Sequence, residues 1–294
     1  MISLLLQTTI ATDPDDWSIA RFSLLRDFLA SRRDAEGRPV FAVTARDRDP
    51  GPGPDSVIST LDASAFDEMW LFAVDVGHGL TAEDCDGIRR FHERGGGLML
   101  TRDHMDLGSS LCGLEGWLGR AHHFHSRNEE PDQRRRCIDD PFTASILWPN
   151  YHSGANGDYQ EVRIVAPAHS VLRDPGSPTG WLRYLPAHPH EGAVGAPPGT
   201  DARVILEGAS RTTGNRFNLA VATASSSGGG PVLAESTFHH FCDFNWDVDQ
   251  GSPSFVSEAP GDGMSRNPDA LRSTRQYVHN VALWLAGALP GAIS

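Results

Sequence analysis

Hydrophobic and polar positions along the first hundred residues alternate in the manner of an α/β protein. Residues Ile2 to Ile10 form a mostly apolar run of strand length, the pattern of a strand covered on both faces. Between Trp17 and Arg32, the positions Ile19, Phe22, Leu25 and Leu29 fall three or four residues apart, which predicts a helix with one buried stripe. Val40 to Ala45 predicts a second strand, and Arg46 to Ser56 a loop imposed by its Pro and Gly residues. Met69 to Val74 predicts a third strand, followed by a turn at Val76–Gly79. Thr81, with Asp84 three residues on, predicts a capped helix start. Ile88 and Phe91 give that helix an apolar side, and Gly95-Gly96-Gly97 ends it. Leu98 to Thr101 predicts a fourth strand. Alternation of this kind implies parallel pairing through right-handed crossovers.

The second half is less regular. Residues 115–160 read as an elaborated, loop-rich insertion over one edge of the sheet. It holds paired histidines, the run Arg134-Arg135-Arg136 (a solvated stretch or an anion clamp), and a polar segment with Asn150, His152, Asn156 and Asp158 that would suit a lid. Further strands are predicted at Leu182–Leu185, Arg203–Leu206, Phe217–Thr223 and Pro231–Ser236. The second and third of these are joined by a hairpin-like Thr213-Gly214-Asn215, and Ser225–Gly230 turns the chain into the fourth. Pro268 to Leu285 predicts a closing helix. There is no internal repeat, and residues 1–294 are taken as one domain.

Composition narrows the chemistry. The 25 basic residues are all arginine. A phosphate-loop lysine, a pyridoxal-phosphate Schiff base and a lysine aldolase are excluded together, since each needs a primary amine. Neither a nucleotide nor a flavin site is indicated. A net charge of −13 argues against nucleic acid and anionic membranes as partners. The start MISLLLQTTI has no basic region ahead of it, and no apolar run approaches membrane-spanning length. The expectation is a soluble cytoplasmic protein with a small-molecule substrate; whether it forms a homo-oligomer is left open. Cys85, Cys112, Cys137 and Cys242 are scattered with no C-x-x-C pair, so no disulfide framework or cysteine zinc knuckle is indicated.

Chemistry points instead to histidine. Of 13 histidines, seven fall in His122-His123-Phe124-His125, His188-Pro189-His190-Glu191 and His239-His240, while His104 stands directly after a predicted strand. Ligands of open α/β sheets bind beyond the carboxyl ends of the strands. His104, His188, His190, His239 and His240 all follow predicted strands, so they are the candidate metal-ligating or proton-transfer set. His188 and His190 share a face in extended chain, whereas only one of His239 and His240 can point at a common centre. A bound metal would be zinc or iron rather than calcium, given imidazole and carboxylate ligands. Glu191 and Asp243 are candidate ligands, general bases or partners that orient an imidazole. Asp103 either faces the pocket beside His104 or caps a helix. His123, His125, His152, Asn156, Asp243 and Trp246 are candidate substrate contacts. Phe241, Phe244 and Trp246 form either an aromatic wall for a sugar or core. Cys112 is either a nucleophile or an inert packed thiol.

Several of these residues carry a resemblance. The helix ending in Gly95-Gly96-Gly97, strand Leu98–Thr101, the histidine after it, Phe124-His125, Ala168-His169-Ser170-Val171-Leu172 and a last strand running into His239-His240 resemble the trehalose-utilisation (ThuA-like) branch of the class I glutamine amidotransferase-like superfamily. The resemblance spans most of the chain in element order. It implies a flavodoxin-like, mostly parallel sheet flanked by helices, and a link to sugar metabolism. Amidotransferases present a cysteine on a G-x-C-x-G elbow. Here that place reads Thr101-Arg102-Asp103-His104-Met105, which argues against glutamine hydrolysis through a thioester. The leading expectation is a hydrolase or lyase in which His104, Asp103 and Glu191 are catalytic and the substrate is small and polar, such as a carbohydrate derivative. The alternative is a noncatalytic sugar- or partner-binding module on a degenerate amidotransferase scaffold.

Overall fold

Apolar residues that alternate along the strands become the two buried faces of one sheet. The computed structural model describes residues 1–136, 138–139, 143, 145–223 and 228–289. Strand β1 (Ile2–Thr8) turns Leu4 and Leu6 to one side and Leu5 to the other. The strands β2 (Phe41–Arg46), β3 (Glu68–Phe72) and β4 (Gly97–Thr101) follow in chain order. Trp70, Phe72 and Met99 join the first face, and Met69, Leu71, Leu98 and Leu100 join the second. Because each face is covered, the strands are apolar throughout.

The first face is covered by helices α1 (Ser23–Ala30) and, at the end of the chain, α5 (Pro268–Leu285), which the one-turn helices α3 (Asp243–Trp246) and α4 (Gly263–Arg266) precede. Helices α1 and α5 contribute Leu25 and Leu29, and Tyr277, Val278 and Val281. The second face is covered by α2 (Ala82–Glu93), through Ile88 and Phe91, and by the 3-10 turn Ile58–Ala63. Each of these side chains stabilises the fold by about 1.5–3 kcal/mol when fully buried. The expected capping box is present: Thr81 accepts the Asp84 amide at 3.2 Å and the Asp84 carboxylate accepts the Thr81 amide at 2.9 Å. Gly95, at φ +99°, ends α2 in the left-handed conformation that glycine allows.

The later strands are β5 (His122–His123), β6 (Tyr159–Glu161), β7 (Arg163–Ile164), β8 (Tyr184–Pro186), β9 (Ala193–Val194), β10 (Arg203–Ala209), β11 (Arg216–Thr223) and β12 (Val232–Glu235). The main sheet runs β2-β1-β3-β4-β12-β11-β10-β7. Its first five strands are mutually parallel, and β11, β10 and β7 continue it antiparallel. This is a flavodoxin-like winding extended at one edge by antiparallel strands. Over 115–160, the described residues hold short 3-10 turns, β5 and the start of β6. No helix among the described residues is long and apolar enough to cross a membrane.

Two expectations need correction. The strand expected at Leu182–Leu185 is not in the main sheet. Its counterpart β8 pairs antiparallel with β6 in a separate two-stranded ladder, because the place beside β4 is taken by β12. The helix expected from Trp17 opens as a 3-10 turn (Ile19–Phe22), and α1 starts only at Ser23. There the Asp243 carboxylate accepts the Ser23 and Leu24 amides at 2.9 and 2.8 Å. A residue 220 positions away thus starts the helix. Of the expected turn Ser225–Gly230, residues 225–227 lie outside the described residues, as does Cys137.

Helix α2 packs closely on the 3-10 turn before β3. A Cβ on Gly87 would sit 2.1 Å from the Ile58 carbonyl oxygen. Gly87→Ala is therefore expected to lower stability by about 1–3 kcal/mol despite its better helix propensity. A urea midpoint equal to or above that of the parent protein would contradict this packing.

Candidate functional site

A cleft of about 850 Å³ opens where the parallel strands end. Thr9 to Ala11 follow β1, Val74 to Val76 follow β3, Asp103 and His104 follow β4, and His239 follows β12, and all line it. The turn after β4 is tight. Met105 takes φ +46°, and its amide donates to the Pro149 carbonyl at 3.0 Å, so Asp103 and His104 are presented at the bend. Thr237 performs the matching task after β12. Its hydroxyl accepts the His239 amide and donates to Asp103 Oδ1, each at 3.1 Å.

Asp103 is the centre of the site. Its carboxylate lies 2.9 Å from His104 Nδ1, 3.2 Å from His188 Nε2 and 3.7 Å from His239 Nε2. The rings of His188 and His239 stack at 3.6 Å. His190 completes the group edge-on, with ring centroids 5.4 Å from His104 and 5.6 Å from His188. Ligand atoms of Asp103, His104 and His188 all fall within 4.8 Å of one another, a spacing that a metal ion would span. Asp103 is 1% exposed and His188 3%.

The far nitrogens decide what these imidazoles offer. Asn245 Nδ2 donates to Asn156 Oδ1 at 2.8 Å and to the Ala187 carbonyl at 2.9 Å, so Asn245 Oδ1 faces His239 Nδ1 at 2.9 Å as an acceptor. Asn156 Oδ1 likewise faces His188 Nδ1 at 2.9 Å. Both rings therefore carry their proton on Nδ1 and turn the Nε2 lone pair towards Asp103. His188 Nε2 and His104 Nδ1 are buried without a well-angled hydrogen bond. Lone pairs facing a carboxylate repel it unless a cation lies between them, so this donor set fits a metal ion. His190 is oriented in the same way. Its Nδ1 lies 3.1 Å from Asn150 Oδ1, whose amide donates to Ile146, and its Nε2 lies 3.2 Å from Glu258 Oε1.

Burial raises the Asp103 carboxyl, but the positive charge that His188, His104 and His239 carry when protonated outweighs it and holds the carboxyl well below the usual carboxylate range. Burial, assisted by the neighbouring His239, pushes His188 well below the usual imidazole value against the pull of Asp103. At neutral pH Asp103 is an anion and the His188 imidazole is neutral.

Other candidates lie elsewhere. Glu191 and His240 belong to a sealed cluster behind the cleft. Glu191 accepts hydrogen bonds from Ser153, Gln160 and Ser236, and it faces His240 Nε2 at 3.4 Å. His240 Nδ1 lies 3.1 Å from Glu235, which also accepts from Tyr277. Glu191 and His240 are both 0% exposed, so the proposed roles of Glu191 as proton-transfer group and of His240 as ligand are corrected to structural ones. Asp243 is the cap of α1. Trp246 donates to the His240 carbonyl and lines a different cavity. Phe241 and Phe244 are core. His123 bonds the Asn128 carbonyl and His152 the Pro189 carbonyl, His125 is exposed, and none of the three lines the cleft. Cys112 does not line it either, and burial raises its thiol. Asn150 is 0% exposed, as befits a support for His190 rather than a lid residue. Asn156 does line the cleft. Sequence reasoning missed Trp17, Asp75, His78, Asn245 and Glu258. Trp17 stands at the start of the predicted helix, and Asp75 and His78 stand at the end of the predicted third strand and in the turn after it, where the strand-end rule applied to the other histidines would have found them; nothing in the local pattern marks Asn245 or Glu258.

No family model matches the sequence, and no curated protein does. The chain is similar to a ThuA-like protein from Bacteroides uniformis (9% identity, 97% of this chain and 91% of that one, TM-score 0.43). It is similar to another from Parabacteroides merdae (16% identity, 89% and 95%, TM-score 0.43). The third is the glutaminase domain of Trypanosoma brucei CTPS with bound acivicin (13% identity, 96% and 94%, TM-score 0.47).

The sealed cluster predicts a pH dependence. Burial would lower His240, but Glu191 and Glu235 raise it to about 10, against roughly 6.5 in an unfolded chain. A raised imidazole stabilises the fold fully below the unfolded value, and that share is lost as pH climbs through about 10. Unfolding free energy should fall between pH 7 and 10 in the parent protein, and fall less steeply in His240→Gln. The variant itself should lose about 3–5 kcal/mol at pH 7. Parallel pH profiles from urea titrations would refute the charged state assigned to His240.

Proposed function

We propose that the cleft is the active site of a metal-assisted hydrolase or lyase acting on a small polar substrate, such as a carbohydrate derivative. The observation that carries this reading is the pair of asparagine-oriented imidazoles, His188 and His239, whose Nε2 atoms converge on the Asp103 carboxylate. Asp103, His188 and His239, with His104 beside them, would hold the ion. Imidazole and carboxylate donors of this kind suit zinc or iron. A divalent ion so bound activates water or polarises a carbonyl.

The remaining residues have roles that follow from their placement. Asn156 and Asn245 fix the imidazole tautomers and raise ligand basicity, as partners behind a metal ligand do. His190 and Glu258 sit 3.2 Å apart on the cleft wall. They form a proton-handling pair in reach of a substrate bound against His104, the part the sequence had assigned to Glu191. Trp17 sets its edge against the His239 ring at 4.6 Å and supplies an apolar wall. Thr237 keeps Asp103 from rotating.

Elemental analysis of protein purified without a histidine tag should find about one zinc or iron per chain. His188→Ala combined with His239→Ala should abolish this, and Asn245→Leu should weaken affinity by about 10- to 100-fold. Metal far below one equivalent, both as isolated and after reloading, would remove the ion from the proposal. A neutral imidazole would then be left as general base.

A further inference from the structure

Helices α1 and α5 leave a second cavity between them, about 760 Å³ in volume and within the range of small-molecule sites. Its apolar surface includes the partly exposed Leu24, Val248 and Leu271. At one end stand three basic groups: Arg32 from the end of α1, and Arg275 and His279, one turn apart on α5. The guanidinium carbons of Arg32 and Arg275 lie 5.4 and 5.7 Å from the centre of the Phe28 ring, which therefore holds both in one place.

The two guanidinium groups face the groove without a carboxylate partner, and burial together with Arg32 lowers His279, leaving it a neutral hydrogen-bonding group. Among the described residues, neither Arg32 nor Arg275 has an ion pair, and the Nε of each is buried without a hydrogen-bond partner, as is His279 Nδ1. The neighbouring Arg272 shows the contrast, with Asp174 at 2.6 Å and Asp269 at 3.3 Å. The acids lining the cavity are Asp247, Asp249 and Asp262. Asp247 accepts from the 249 amide and Gln250, and Asp262 pairs with Arg266. Arg275 and His279 stand seven and eleven residues beyond Pro268, the first residue of α5, about 10 and 16 Å along the helix.

We infer that this groove is a binding site for a compact organic anion. Its phosphate or carboxylate would be held by Arg32, Arg275 and His279, and its apolar body would lie along Leu24, Val248 and Leu271. Two fixed guanidinium groups give charge-assisted, geometrically specific bonds to such a head group. An ion alone would leave the apolar surface uncovered. Two residues of the groove, Gly157 and Trp246, directly follow Asn156 and Asn245, which orient His188 and His239.

Titration calorimetry of the full chain, freed of metal and in low salt, with phenyl phosphate as probe, tests the inference. One saturable site per chain is expected, with inorganic phosphate binding more weakly. The Arg32→Gln/Arg275→Gln variant should bind phenyl phosphate at least about tenfold less tightly, a loss of about 1.4 kcal/mol. His188→Ala should bind it as the parent does. Circular dichroism confirms folding of the double variant; if it is unfolded, the single variants Arg32→Gln and Arg275→Gln are read in the same way. Unchanged affinity in the arginine variants, equal affinity for inorganic phosphate, loss of binding in His188→Ala, or no saturation each overturn the assignment.

Discussion

An ionised carboxylate enclosed by imidazoles governs the arrangement of the cleft. Asp103 is almost fully buried at the end of β4, where an uncompensated charge would cost several kcal/mol. The rings that face it come from three separate stretches of chain: His104 from the same turn, His188 from the segment after β8, and His239 from the turn after β12. Holding them there requires the asparagines behind them, the Thr237 hydroxyl, and the hydrogen bond from the Phe238 amide to the Arg102 carbonyl that ties the two strand ends together. The site is thus a junction of loops fastened by polar contacts, set on a sheet whose own stability is apolar.

Two adjacent histidines show how finely the backbone sorts chemistry. His239 and His240 differ by one position, yet one ring enters the open cleft and the other enters a sealed box of Glu191, Glu235 and Tyr277. The carboxylates of Glu191 and Glu235 raise His240 to about 10 against the effect of burial, so it is charged at neutral pH, while His188 is held neutral. The charged cluster joins α5, β12 and the 188–191 segment, and so secures from behind the loops that carry the cleft histidines in front.

Much of this architecture was legible in the sequence. The closing helix has the limits that its Pro268 start and apolar spacing implied, and the Thr81 cap and the Gly95 stop are local signals that fold locally. The convergence of His104, His188 and His239 followed from their places after predicted strands, although the strand before His188 lies outside the main sheet. What escaped was set by contacts distant in sequence. Asp243 looked like a ligand because it neighbours a histidine pair, and only the folded chain shows it capping α1 from 220 positions away. Glu191 looked catalytic beside His190, but after the turn at 189–190 it enters an antiparallel bridge with Tyr151, where its carboxylate meets Ser153 and Ser236. Glu258 and Asn245 carry no local pattern that a sequence window could register.

The antiparallel edge of the sheet has a consequence of its own. The last strand there, β7, is only two residues long and carries the exposed Arg163. A free strand border normally offers a ladder of amides and carbonyls to any extended chain that drifts alongside. Here that ladder is too short, and too charged, to recruit one. Growth of the sheet by strand addition is blocked on this flank, leaving side-chain surfaces to mediate any association there.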